Sequence, residues 1–200
     1  MSALGNLRMR LAEIDKLMEA HQMLVRFHKA QRRLKLAQGD ITKTLDALKN
    51  LVGTPGRGRP PAIQVLNKAG IVLLSALLQS FVQELAEDHI RLHFSNVAND
   101  VNTMAEAVSM QGNPHENNIN KTFSTIGIPK IVNRLHWHGF DNAAVKTRLR
   151  QLNELRNNVA HGGTNQVTRK TLSKMKAFVL LFSGRLDNEV AKTAQQHTKP

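Results

Sequence analysis

The amino-acid sequence predicts an all-α protein, a helical bundle with a long N-terminal helix. Apolar residues recur at spacings of three and four along most of the 200 residues, which is the period of one helix face. No stretch of useful length alternates apolar and polar residues as a half-buried strand does, and aromatic residues make up only 4% of the chain. Hydrophobic residues account for 41%, which is enough to build a core.

The first predicted element is a helix over residues 3–37, roughly 50 Å long at 1.5 Å per residue. A seam at heptad-like spacing, apolar except for one histidine, runs along it: Leu4, Leu7, Leu11, Ile14, Met18, His21 and Val25. Such a seam requires another helix against it, so the element is either a coiled-coil arm or a long bundle helix. With a shorter helix over residues 42–52, it forms a basic N-terminal region, residues 1–52.

A basic loop over residues 53–61 separates this region from a bundle over residues 62–200, because its glycines and prolines interrupt regular structure. The loop contains Arg57-Gly58-Arg59-Pro60, which matches the core of an AT-hook, a motif that inserts both arginines into a narrow DNA minor groove. The flanking residues lack the additional basic side chains of that motif. The alternatives are a DNA contact through Arg57 and Arg59 and a basic loop between helices.

The bundle region begins with a helix from near Pro61 to about Phe94. Its most apolar run, residues 69–78, is too short to span a bilayer, so we expect a buried core helix and no membrane partner. Residues 96–109 either extend this helix or form another one.

Further along the chain, the sequence predicts a turn over residues 112–115, a short helix over 117–126, a break over 127–130 and one helical turn over 131–135. Asp141 or Asn142 caps the next helix, which runs to about His161. The inner stripe of that helix consists of Val145, Leu149, Leu152, Leu155 and Val159. A last helix is expected over residues 167–196.

Charge and composition restrict the partners. The formal net charge of +13 favours an anionic partner, with nucleic acid first and an anionic membrane surface or an acidic antitoxin-like protein as others. A solvated basic surface without a specific partner is the remaining reading. No cysteine is present, which excludes disulfides and thiolate zinc sites, and the N-terminus lacks the apolar core of an export signal. We therefore expect a cytoplasmic location.

No cofactor or metal is expected, because no glycine-rich phosphate loop, nucleophile elbow or paired-carboxylate motif appears. His136 and His138 flank Trp137, but two histidines at positions i and i+2 face different sides of a helix and no carboxylate pair is near. Trp137, the only tryptophan, is expected to anchor an edge of the core or an interface.

The candidate site is the string Arg156-Asn157-Asn158-Val159-Ala160-His161-Gly162 at the predicted C-terminal end of a helix. An imidazole moves protons near neutral pH, and a guanidinium holds a phosphate through two parallel hydrogen bonds. Positions five apart lie about 140° apart around a helix axis, so Arg156 and His161 meet only if the last turn distorts or if both reach a cleft shared with another helix. The alternative is a salt bridge of Arg156 and a purely capping His161.

This string resembles the RNxxAHG signature of the HEPN superfamily (higher eukaryotes and prokaryotes nucleotide-binding domains). Residues 77–85 look like an earlier core helix of that family, and residues 120–129 are similar to the connector of RiboL-PSP-type members. The resemblance covers about residues 61–192. The N-terminal helix is outside it or elaborates it.

The resemblance implies an all-helical homodimer with metal-independent endoribonuclease activity in toxin–antitoxin or phage-defence systems. It implies Arg156 and His161 as catalytic residues, with Asn157 and Glu84 as supporting polar residues. RNA is then the partner, Arg148 and Arg150 are further candidates for RNA contact, and an antitoxin or regulatory protein is possible. The alternative within the superfamily is a catalytically inactive helical module that binds RNA or another protein.

Overall fold

The computed structural model of the chain describes residues 2–36, 61–93, 108, 112–163 and 166–197. Within these ranges the chain forms α-helices and one 3₁₀ turn, and β-type pairing is limited to an isolated bridge between Trp137 and Phe140. The elements are α1 (Ala3–Leu36), α2 (Pro61–His93), α3 (Glu116–Ser124), the 3₁₀ turn (Ile131–Arg134), α4 (Asn142–Ala160) and α5 (Arg169–His197). The predicted all-α class is confirmed.

Helix α1 packs into the bundle through the predicted seam. Leu7, Leu11 and Ile14 are buried, and the helix contacts α2 and α5. Because helices of the same chain cover these residues, α1 is a bundle helix over this stretch and not a free coiled-coil arm. The N-terminal helix and the region after residue 62 share one hydrophobic core.

Three predictions fall on residues that the structure leaves undescribed. These are the short helix over 42–52, the AT-hook-like loop with Arg57 and Arg59, and the helix over 96–109 apart from the buried Val108.

Helix α2 is the central element and contacts α1, α3, α4 and α5. Leu74, Leu78 and Phe81 are buried almost completely, as expected of a core helix. The apolar part of α2 is longer than the sequence predicts, because Gln64–Leu92 is long and apolar enough by composition for a membrane span, with a mean hydropathy of 1.6. Half of its apolar window is buried inside the bundle.

The segment between α3 and α4 is held by side-chain amides. Asn120 Oδ1 accepts from the Val132 backbone N–H at 2.9 Å, and Asn142 Nδ2 donates to the carbonyls of Val132 and Leu135 at 2.7 and 3.0 Å. These bonds satisfy backbone groups that the short 3₁₀ turn leaves open. They fix the start of α4 against the turn that precedes it.

The helical geometry assumed for His136 and His138 is wrong. Trp137 and Phe140 pair across a tight turn that includes Gly139 at φ +78°, and their rings stack at a centroid distance of 5.2 Å. Trp137 also lies 6.3 Å from the ring of Phe178, in agreement with its predicted role as an anchor at the core edge. Among the described residues, no three histidine or carboxylate side chains group as metal ligands.

Helix α4 begins and ends where its sequence indicates. Asp141 is the N-cap, and its Oδ1 accepts from the Ala144 N–H at 2.7 Å. Val145, Leu149 and Leu152 are fully buried, whereas Leu155 and Val159 are only partly buried against the core. The last turn of α4 therefore projects to the edge of the bundle.

The packing of α5 against α1 predicts a pH-dependent contribution to stability. Burial raises the pKa of the Asp187 carboxyl above its ordinary value of 3.8; the Arg8 cation opposes this shift and the Asp88 carboxylate adds to it. The folded state therefore holds this proton more tightly than the unfolded chain does. The stability that this carboxyl contributes is fully present below the unfolded pKa, and it is lost as the pH rises through the folded pKa.

We therefore expect Asp187→Asn to raise the midpoint of thermal unfolding at pH 7. The asparagine amide has nearly the size and shape of the carboxylate, and it removes a partly desolvated charge. The difference in unfolding midpoint between the variant and the unmodified protein should narrow as the pH falls towards the ordinary carboxyl value of 3.8, because the raised pKa lets the folded protein take up this proton first. Thermal melts across this range measure it. A lower midpoint for Asp187→Asn at pH 7 would show that the attraction to Arg8 outweighs burial.

Candidate active site

The candidate string lies at the end of α4, where the backbone makes a glycine-dependent cap. His161 is the C-cap residue, and its N–H donates to the Asn157 carbonyl at 3.0 Å. Gly162 has φ +71°, a conformation that costs glycine little, and Gly163 N–H donates to the Asn158 carbonyl at 2.7 Å. The predicted left-handed glycine cap is confirmed.

The turn after the cap is anchored to α2. Lys68 Nζ donates to the Gly163 carbonyl at 3.0 Å, and Asn67 Nδ2 donates to the Val167 carbonyl at 2.9 Å. A Cβ at Gly163 would overlap the Asn158 side-chain amide, so a larger residue there would displace that amide. These contacts fix the position of His161 on a rigid turn.

Arg156 is half-buried and is oriented by amides. Its Nη1 donates to Asn157 Oδ1 at 3.2 Å, and Asn113 Nδ2 donates to the same oxygen at 3.0 Å. Asn113 is held in turn by its own carbonyl, which accepts from Asn118 Nδ2 at 2.9 Å. Among the described residues no carboxylate forms a salt bridge with Arg156, so the ion-pair alternative for this residue finds no support and its charge is not neutralised.

His161 is exposed to solvent, in contrast to Arg156. Its imidazole has no hydrogen-bond partner within the part of the chain that the structure describes. The side chain is therefore accessible to a ligand and contributes little packing. Only its backbone N–H takes part in the cap.

No hydrogen bond joins Arg156 to His161 among the contacts of the described residues, where the Arg156 side chain donates to Asn157. Helix α4 is regular through Ala160, so the two side chains keep the separation of about 140° that an ideal helix gives. The distortion of the last turn that would bring them together is not seen. A ligand that touches both groups must bridge two sides of this helix end, or the second group must come from another chain.

The structure does not bring Glu84 to this helix end. Glu84 Oε2 accepts from Asn6 Nδ2 at 3.1 Å and its Oε1 accepts from Arg10 Nη1 at 2.7 Å, so the carboxylate is committed to α1. Lys68, which marks the end of α2 nearest to Gly163, lies sixteen residues earlier. That separation corresponds to about 24 Å along the helix axis.

The two arginines proposed for RNA contact, Arg148 and Arg150, differ in burial and in the face of α4 on which they lie. Arg148 is half-buried, with Nη1 donating to Gln151 Oε1 at 3.0 Å, and Arg150 is exposed on a different face of α4. Asn113 was not expected from the sequence, because it lies 44 residues from Asn157 in a glycine–asparagine–proline turn. Its only sequence signal is that turn, which does not indicate where it packs.

Comparison with known proteins bears on this region directly. The family model RiboL-PSP-HEPN matches residues 91–192, which is half of the chain and includes the whole of α4 with Arg156 and His161. The match begins later than expected, so residues 77–85 of α2 lie outside it. Neither the curated proteins nor the solved structures contain a match. With more than half of its residues matched, the chain belongs to the RiboL-PSP-type HEPN family.

Proposed function

We infer that this protein is a metal-independent endoribonuclease whose active centre is built from Arg156 and His161. The observation that carries the proposal is the end of α4, which lies inside the family match. There an arginine without a described ion pair and a solvent-exposed histidine share one rigid, glycine-capped helix end. Membership of the HEPN family suggests a nuclease or RNA-related function on its own, and the net charge of +13 suits an RNA substrate.

The chemistry assigns one role to each group. The His161 imidazole takes the proton of the ribose 2′-hydroxyl while the 2′-oxygen attacks the adjacent phosphorus, and the imidazolium so formed gives that proton to the 5′-oxygen as the P–O5′ bond breaks. Arg156 binds the phosphate and stabilises the negative charge that grows on its oxygens. The products are a 2′,3′-cyclic phosphate and a 5′-hydroxyl end.

A homodimer suits this chemistry, because Arg156 and His161 of a single chain occupy positions about 140° apart around the axis of α4. Two copies of α4 at a two-fold axis supply an arginine from one chain and a histidine from its partner to one cleft.

The biological setting that we propose is a cytoplasmic toxin or phage-defence effector. A nuclease of this kind requires control by an antitoxin or regulatory protein, and the basic surface suits an acidic partner.

The test is cleavage of a mixed RNA by purified protein, with and without EDTA, beside Arg156→Ala. We expect cleavage to persist fully in EDTA, to leave cyclic phosphate ends and to be lost in the variant. Loss of cleavage in EDTA would contradict the metal-free mechanism. Equal cleavage by Arg156→Ala would remove this arginine from the active centre.

A second candidate function is a catalytically inactive RNA-binding or protein-interaction module. The separation of Arg156 and His161 within one chain favours it, because neither side chain has a described partner suited to proton transfer. Binding of RNA without cleavage, equally by the unmodified protein and by Arg156→Ala, would identify this function.

Asn113 supplies a prediction for the proposed nuclease. Asn113→Ala removes one of two donors to Asn157 Oδ1 and leaves the Arg156 guanidinium less restrained. We expect kcat/KM to fall about tenfold, which corresponds to the worth of one hydrogen bond. Asn117→Ala, an exposed asparagine on α3, is the matched control and should keep full activity.

Kinetics and thermal melts of both variants measure this effect. An unchanged kcat/KM for Asn113→Ala at an unchanged melting midpoint would show that the Asn113–Asn157 bond does not position Arg156.

A further inference from the structure

A groove of about 460 Å³ separates the second half of α4 from the start of α5. Its volume falls in the range of about 300–1,000 Å³ that small-ligand sites occupy. Six of its lining residues are Arg148, Gln151, Leu155, Asn158, Thr171 and Lys174. We call this the α4–α5 groove.

The sequence builds this groove from the period of the two helices. Residues 148, 151, 155 and 158 follow spacings of three and four, so they share one face of α4, which meets the core stripe at Leu155. Leu155, with Met175 of the facing helix, supplies the apolar part of the lining. The remaining lining groups are polar or charged, which is unusual for a gap between two packed helices.

The two cations of the groove are not neutralised. Arg148 donates to the Gln151 side chain at 3.0 Å, and within the described ranges neither Arg148 nor Lys174 forms a salt bridge. By contrast, the lysines two residues away in the sequence form ion pairs: Lys146 with Glu116 at 2.7 Å, and Lys176 with Asp15. Cations left without a counter-charge beside an open groove favour an anionic ligand.

The groove runs up to the candidate active site. Asn158 lines its end and lies three residues before His161, which is about 4.5 Å along the helix axis. The Asn158 side chain makes no hydrogen bond to any described residue, and its Oδ1 is buried without a partner. That oxygen faces Gly163 and is not open to the groove, so a ligand would contact this side chain through Nδ2.

We propose that the α4–α5 groove binds the nucleotide that flanks the cleaved bond of a single-stranded RNA. The inference rests on the proposed nuclease function and adds to it a defined subsite. Leu155 and Met175 pack against the base, the amides of Gln151 and Asn158 bond to its edge, and Arg148 and Lys174 hold its phosphate. Glu154, which also lines the groove, repels phosphate and accepts from amino groups of the base.

Binding by a cleavage-deficient protein tests the subsite without relying on catalysis. Labelled single-stranded RNA is titrated into His161→Ala and into the same protein with Arg148→Gln or Lys174→Gln added. We expect each addition to raise Kd about five- to tenfold and to lower the slope of log Kd against log salt by about 0.7, the loss of one phosphate contact. Lys170→Gln, an exposed lysine one turn away outside the groove, is the charge-matched control and should change neither quantity.

Cleavage kinetics separate the subsite from the active centre. In a protein with His161 intact, Lys174→Gln should raise KM and leave kcat nearly unchanged, because the groove holds the strand and does not touch the reacting atoms. If the unmodified protein does not cleave RNA, the nuclease proposal fails, and the binding comparison still decides whether the groove holds RNA.

Three results would overturn the subsite. If Lys170→Gln and Lys174→Gln weaken RNA binding equally, the RNA is attracted by diffuse positive charge and is not bound in the groove. Unchanged RNA binding by both groove variants would show that the strand passes elsewhere. Dissociation of a dimer by Arg148→Gln in the absence of RNA, with RNA binding by the monomer intact, would identify a second copy of the chain as the occupant.

Discussion

Replacement of His161 by alanine is expected to lower the rate of RNA cleavage by about 10²–10⁴-fold, the usual contribution of a general acid or base. The midpoint of thermal unfolding should stay within about 1 °C of the unmodified value, because exposed side chains without partners contribute little to stability. The imidazole is exposed and has no described hydrogen bond. The cap uses only the backbone N–H of this residue, which alanine retains.

The matched control for this substitution is His138→Ala. His138 is another exposed histidine, it lies in the turn beside Trp137, and it has no place in the proposed chemistry. Single-turnover cleavage at saturating protein compares the chemical step directly. Cleavage by His161→Ala at the rate of His138→Ala would exclude His161 as the proton-transfer group.

The parts of the fold that the sequence predicts correctly depend on local chemistry. Helix α4 is the clearest case, since Asp141 at its start, the apolar stripe in its middle and Gly162 at its end each act within a few residues. The burial of the α1 seam is also predicted correctly, because its apolar spacing requires a partner helix and does not depend on which helix that is.

The parts that the sequence does not predict depend on contacts between distant segments. Residues 136–138 form a turn because Trp137 stacks on Phe140 and lies against Phe178 of α5, which outweighs local helical preference. The sequence offers Glu84 as a polar residue for a site on α4. The structure instead pairs Glu84 with Arg10 of α1, and that contact depends on how α1 and α2 pack. Asn113 reaches Asn157 across 44 residues, and no spacing rule indicates that contact.

The same limit applies to the candidate site itself. Its helix end and its cap are local features and follow from the sequence, whereas the direction in which Arg156 points depends on amides from another turn. The two positions lie about 140° apart around the axis in one chain, because α4 remains regular to Ala160. If the proposed active centre takes its arginine and its histidine from two chains, its completeness depends on how those chains meet.

A mixture of Arg156→Ala and His161→Ala chains is expected to regain cleavage that neither variant has alone. If each centre takes its arginine from one chain and its histidine from the partner, a mixed dimer contains one intact centre and one centre that lacks both groups. Random assortment makes half of the dimers mixed, so roughly a quarter of the unmodified activity should return.

Co-expression of the two variants with different affinity tags, followed by purification through both tags, isolates the mixed dimer. Its activity should then approach about half of the unmodified value per dimer, because one of two centres is complete. A mixed dimer of Arg156→Ala with Arg156→Ala,His161→Ala is the control and should stay inactive, since no arginine is available to either centre. If the first mixed dimer is equally inactive while remaining folded and dimeric, Arg156 and His161 act within one chain, and the substrate must then bridge the two sides of α4.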